Sequence, residues 1–154
     1  MPTGKSAGEM PSAVGRFFVG LQILSSLYLT LTGPVKPDHW WLAVGPVAGV
    51  LLGARALLAM RRGRLSPLPE VRPGAVLVTR GPYRFLRHPM YTALLLIFVP
   101  LTFNRPAPAR WTALGVLCLA LVLKMGYEER LLRSRFPEYG AYAARTWRII
   151  PGVF

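Results

Sequence analysis

Gly81-Pro82-Tyr83-Arg84-Phe85-Leu86-Arg87-His88-Pro89-Met90-Tyr91 runs without a break into an apolar stretch ending at Phe103. A turn, Asn104-Arg105-Pro106-Ala107-Pro108, leads to a second apolar stretch over 109–127 and then to the pair Glu128-Glu129. Two such stretches around a Pro-rich turn read as a helical hairpin. From Tyr91 the first stretch has only about 13 residues, short of the roughly 20 that cross a bilayer. A start at His88 lengthens it, with Pro89 early in the helix where its missing donor costs least. Ionisable groups at the ends of apolar segments are expensive unless they bind something. The hairpin therefore points to a fold class and to a place for chemistry.

Two further apolar runs lie upstream, over 17–35 and 40–60. The first carries Gln22, Ser25, Ser26, Thr30 and Thr32, polar groups that can bond to a neighbouring helix or to their own backbone. Trp40 and Trp41 open the second, where aromatic rings favour a membrane interface. Gly45, Gly49 and Gly53 recur every four residues on one face of it, which lets another helix approach closely. Packing is the first reading of that face, and an oligomer contact is a further possibility. Arg55 near the end of the run reads as a snorkelling side chain.

The 154 residues are 53% hydrophobic, with a mean hydropathy of +0.38, and the apolar residues are clustered. The class is an all-α integral membrane protein of about four transmembrane helices, over 17–35, 40–60, 88–103 and 109–127, in one domain. Residues 1–15, rich in Gly, Ser and Pro, read as a flexible tail. The first apolar run reads as a retained helix rather than a cleaved signal, since no small-residue cleavage site follows it. The formal charge of +13 could suggest nucleic acid. Its placement argues against that partner: Arg61, Arg62 and Arg64, and Arg130, Arg133 and Arg135, flank apolar runs as juxtamembrane cations do. The basic loop over 61–87 and the basic tail place the termini and the His-Pro turn on the cytoplasmic side, and the short, compact form of the fold suggests a prokaryotic cell membrane. The single cysteine, Cys118, allows no disulfide within the chain, and no metal-ligand cluster is visible.

From Glu128 the pattern turns amphipathic, with Leu131, Leu132 and Phe136 against Arg130, Arg133 and Arg135. This predicts a helix that leaves the membrane and lies on its surface. A break at Pro137-Glu138-Tyr139 then precedes a second short helix running to Arg148. On spacing alone, His88 is first a capping or interface histidine, and Tyr91 an interface anchor. Lys124 and Glu128 share a helix face in the weaker orientation for an ion pair. Adjacent carboxylates at a membrane exit repel one another and lose solvation, so a cation nearby would relieve them. Arginines could serve, and so could a bound sulfonium or ammonium.

Taken together, Gly81 to Tyr91, Glu128-Glu129, Phe136-Pro137-Glu138-Tyr139 with Tyr142, and Ile150-Pro151 stand in an order that resembles the isoprenylcysteine carboxyl methyltransferase family. Over the same region that family is similar to phospholipid methyltransferases, and the likeness covers about 75–151. It implies a cytoplasmic pocket for S-adenosyl-L-methionine, which leaves as S-adenosyl-L-homocysteine. Carried onto this chain, the cofactor-binding residues are Ala75, Val76, Leu77, Val78, Tyr83, His88, Pro89, Met90, Tyr91 and Glu128. Lys124 would meet the substrate, with Arg87 and Glu129 in supporting positions. Lys124 stands where the family has arginine, which keeps the charge but loses the bidentate fork. Ala93 and Pro137 stand where the family usually has glycine.

The activity implied is a membrane methyltransferase acting on a lipidic or amphipathic acceptor, of the isoprenylcysteine carboxylate type or similar. A carboxylate acceptor needs no general base, whereas an amine or hydroxyl would call on His88 or a glutamate. No catalytic residue is assigned on this reading. The alternatives are a membrane reductase using a nicotinamide cofactor, because a similar Arg-His-Pro-x-Tyr stretch occurs in steroid-type reductases, and a non-enzymatic membrane scaffold.

Overall fold

A computed structural model describes residues 12–34, 36–62 and 76–153. Residues 1–11 of the expected tail over 1–15, and most of the basic loop, with Ala75, lie outside the described residues, while residues 12–15 are helical and begin α1 rather than belonging to a tail. Among the described residues five helices follow in order: α1 Ser12–Leu31, α2 Trp41–Arg62, α3 Pro89–Asn104, α4 Pro108–Arg135 and the short α5 Tyr139–Ala143. A single 3-10 turn, Gly81–Arg84, precedes α3.

Prolines set several of these boundaries. Pro89 and Pro108 each begin a helix, with a preset backbone and no donor to lose. Pro137 pushes the residue before it into extended backbone, and Phe136 ends α4 there with φ −121° and ψ 106°. Pro46 and Pro100 sit inside α2 and α3. Gly81 has φ +62°, a left-handed conformation that glycine adopts without steric cost, and it brings the 3-10 turn against Ala59 of α2.

Helix α2 lies antiparallel along α3, and α1 lies antiparallel along α4. The glycine face makes the first pairing possible. A β-carbon on Gly45 would sit 2.7 Å from Pro100 Cγ and 2.8 Å from Leu96 O. One on Gly49 would sit 2.7 Å from both Ala93 O and Ile97 Cγ1. Helix packing is thus what this face does, within one chain. The oligomer contact suggested for the same face has no room at Gly45 or Gly49, because α3 already occupies it.

The core between the paired helices is built from Leu29, Phe98, Leu114, Leu117, Leu121 and Met125. At the end remote from His88, Arg110 is 2% exposed. It donates to Leu29 O (3.1 Å), Thr32 Oγ1 (2.7 Å) and Leu101 O (2.8 Å). The guanidinium thus satisfies carbonyls near the C-terminal ends of α1 and α3, which carry no intrahelical donor or lie close to those that do not.

Among the described residues, two helices could cross a membrane by length and composition: α2 over Trp41–Arg61 and α4 over Pro108–Arg135. Gly15–Leu31 and Pro89–Asn104 are apolar but shorter. Helices α1, α2 and α4 turn Leu24, Leu31, Leu51, Leu119 and other large apolar side chains outward, a surface unsuited to water.

Two expectations about the C-terminal part change. No separate surface helix starts at Glu128. Helix α4 continues straight through the carboxylate pair to Arg135, because the change in pattern at 128 contains no helix breaker before Pro137. The short helix expected to reach Arg148 stops at Ala143, and the chain beyond it extends beside the His-Pro turn.

Candidate active site

The N-terminus of α3 and the C-terminal part of α4 meet at one end of the bundle. His88 precedes α3 with non-helical backbone, and its ring stacks on Tyr91 at a centroid separation of 5.2 Å. Tyr91 Oη donates to Glu128 Oε2 at 2.7 Å. His88 Nδ1 stands 3.7 Å from that same oxygen. On the other side, Lys124 Nζ lies 3.7 Å from Glu128 Oε1 and donates to Gln22 Oε1 of α1 at 3.3 Å. The lysine also sits 5.2 Å from the centre of the Tyr91 ring, within reach of a cation–π contact. One carboxylate is therefore shared by a phenol, an ammonium and an imidazole. His88 and Lys124 are buried, so these interactions are little screened by water.

This cluster forms one side of a cavity of about 620 Å³. Apolar residues from α1, α2 and α3 make up much of its wall, among them Val19, Val50, Leu57, Leu94 and Ile97. The volume falls in the range of small-molecule sites, about 300–1,000 Å³, and a few convergent polar groups in an apolar wall are typical of them. While α1 rests on α4 and α2 on α3, α1 and α2 make little contact with each other among the described residues, and the cavity extends between them.

Of the residues singled out from the sequence, Leu77, Val78, Tyr83, His88, Met90, Tyr91, Glu128, Lys124 and Arg87 line this cavity. Three do not. Val76 faces a separate groove with Arg55 and Arg80. Pro89 is buried at the start of α3 without reaching the cavity wall. Glu129, one residue on from Glu128, points away on the helix and binds Arg87 and Arg148 instead.

Residues not singled out as binding complete the wall: Gln22, Gly49, Gly53, Leu131, Leu132, Tyr139 and Tyr142. Tyr142 Oη donates to Tyr83 O at 2.8 Å, locking the α5 segment to the 3-10 turn. Burial pushes the Tyr142 phenol up to about 12, with Glu129 adding to the rise and Arg87 opposing it. Burial likewise raises Tyr83, helped by Tyr142 and Glu128. Both phenols keep their protons near neutral pH, and Tyr142 acts as a donor.

Fold and cavity define a helical protein with a membrane-like surface and a polar cluster set into an apolar pocket. Residues 70–139 match the phospholipid methyltransferase family. It contains the His-Pro turn, the hairpin and both glutamates.

Two relatives are similar to the chain. The cobalt-zinc-cadmium resistance protein CzcN of Cupriavidus metallidurans is 39% identical over 82 residues, covering 52% of this chain and 38% of the relative. The nickel-cobalt-cadmium resistance protein NccN of Alcaligenes xylosoxydans xylosoxydans is 29% identical over 157 residues, covering 97% of this chain and 72% of the relative.

Proposed function

We propose that this chain is a membrane methyltransferase that takes its methyl group from S-adenosyl-L-methionine and delivers it to a lipidic or amphipathic acceptor. The observation that carries the reading is Glu128, held by Tyr91 and Lys124 at the wall of an apolar cavity inside the segment that matches phospholipid methyltransferases.

The residues present fit such a cofactor. When bound, it supplies an electrophilic methyl group on a sulfonium centre. A sulfonium and an ammonium need a nearby anion in a dry site, and Glu128 is the carboxylate on this cavity wall. Tyr83, Tyr91, Tyr139 and Tyr142 offer aromatic faces, while Leu77, Val78 and Met90 offer apolar contact. Met90 and Tyr91 are held by the rigid start of α3, and Glu128 by an uninterrupted α4. Such preorganisation matters because alignment can supply much of the rate of a displacement.

Lys124 and Gln22 stand where an acceptor's polar head would sit, with the apolar walls of α1 and α2 beside its tail. An isoprenylcysteine-type carboxylate suits this arrangement, since the ammonium complements its charge and no proton has to leave. An amine acceptor would instead call on His88, whose Nδ1 is the nitrogen on the Glu128 side, or on Glu128.

In the membrane, α1 to α4 would be the four spans. The site end carries Arg55, Arg61, Arg80, Arg84 and Arg130, which favours the cytoplasmic side. At the other end Arg110 is consumed internally, so it does not weigh against that orientation. Metal resistance is named for the relatives, and among the described residues no group of three possible metal-ligating side chains stands together.

The test is methyl transfer from radiolabelled S-adenosyl-L-methionine by the purified protein in bilayers, offered an S-prenylated cysteine and a bacterial phospholipid extract. The account expects label in the lipid-soluble fraction, lost in Glu128→Ala. Base-labile label would mark a carboxyl ester, and base-stable label would mark N-methylation. No label in either acceptor would remove the acceptor class proposed here.

A further inference from the structure

Glu129 is 4% exposed and does not line the cavity, yet it carries a dense set of contacts. Arg87 Nε donates to its Oε1 at 2.9 Å. Arg148 grips both oxygens, Nε to Oε1 and Nη2 to Oε2, each at 3.2 Å. His88 Nε2 stands 3.4 Å from Oε1. Three elements therefore converge on one carboxylate: the His-Pro turn, α4 and the segment after α5.

The contacts of that last segment show what the convergence does. Arg87 also donates through Nη1 to Ala143 O at 2.6 Å and to Thr146 O. The backbone of the His-Pro turn pairs in parallel with the C-terminal segment, through Arg87 N to Trp147 O (2.7 Å), His88 N to Arg148 O (3.0 Å) and Trp147 N to Phe85 O (2.9 Å). Thr92 Oγ1 donates to Ile149 O at 2.8 Å. Residues 144–149 form no helix, so these bonds and the buried Ile149 hold them. Tyr139 and Tyr142, in the short helix just before, form part of the cavity wall.

We propose that Glu129 is the pin of a C-terminal strap. By holding Arg87 and Arg148 to one buried carboxylate it keeps residues 139–149 closed against the His-Pro turn, and so sets how firmly the cavity retains its cofactor without touching it. Glu129 is a positioning residue, in contrast to Glu128, which faces the cavity. The inference rests on the cofactor reading above for its effect on affinity, but not for the strap itself. The strap has a short helix at its start and is fixed by these polar contacts together with the burial of Tyr139, Tyr142 and Ile149, so removing the carboxylate tests whether the segment after α5 opens locally while the rest stays folded.

The experiment compares the full chain with Glu129→Gln and Arg148→Gln in micelles, reading hydrogen exchange by segment and calorimetric affinity for S-adenosyl-L-methionine. Arg148→Gln covers the case in which Glu129→Gln does not fold, because the arginine side chain is 38% exposed. Both variants should lose protection at Arg87, His88 and Trp147 by about tenfold, the scale of one hydrogen bond to a charged group, with α1 to α4 unchanged. Affinity should fall by a similar factor, and Glu129→Asp should restore part of it. Strap amides as protected as in the wild type would overturn the proposal. A loss of affinity with the strap still closed would do so too, by making Glu129 a cofactor contact. A wild type that binds no cofactor would sink the enzyme reading, and the exchange data would still decide the pin.

Discussion

Tyr91 does two things at once: its ring stacks on His88 and its hydroxyl donates to Glu128. Tyr91→Phe should keep the stack and remove one charge-assisted bond from the carboxylate. Such a bond is worth about 1.5–3 kcal/mol, so calorimetry should show cofactor affinity reduced by about tenfold or more while the thermal midpoint changes little. The pairing was half visible in the residues themselves. Tyr91, Lys124 and Glu128 stood out because polar groups sit badly in apolar runs. Gln22 carried the same signal, but its partner Lys124 is 102 positions away and no local period links them. Two adjacent glutamates looked alike in the sequence. The helix separates them, since neighbours on an α-helix point about 100° apart and only one can face the cavity.

Among the helices, the four-residue glycine period foretold a close approach, and α3 is what approaches. A methyl group at Gly49 would meet the Ala93 carbonyl and Ile97, so Gly49→Ala should destabilise the protein by about 1–3 kcal/mol through overpacking. Nothing lies within 4 Å of a β-carbon added at Gly126. Gly126→Ala should therefore be neutral or stabilising by up to about 1 kcal/mol, the helix-propensity difference. Thermal unfolding of the pair in one detergent checks both. The change at Glu128 misled because hydrophobic pattern reports surroundings, whereas helix continuity depends on the backbone. The pattern turned amphipathic at a point where α4 had no reason to stop. The strap after α5 was not legible at all, because parallel pairing of Leu86 with Trp147 depends on contacts across 61 positions and on side chains of no fixed period.

Across the whole molecule, the two ends of the bundle have separate duties. The Arg110 end ties helix termini together, and the Glu128 end lines the cavity. Arg110→Met should lower stability by about 1–3 kcal/mol for each carbonyl left unpaired, yet leave cofactor affinity within about twofold, because the two sites share no partner. Affinity and unfolding measured on the same sample would show that division. The helical class and the hairpin were legible because long apolar runs and prolines act locally. The cavity was not, because it lies between α1, α2 and α3 and exists only once they are assembled.

The central claim is that Glu128 stands in a cofactor site. Calorimetric titration of S-adenosyl-L-methionine into the purified wild type and into Glu128→Ala tests it most directly. The account predicts saturable binding to the wild type and binding weakened by at least about a hundredfold in the variant, as a buried cation loses its counter-charge. Folded wild-type protein that binds no cofactor, or a variant that binds as well as the wild type, would contradict it.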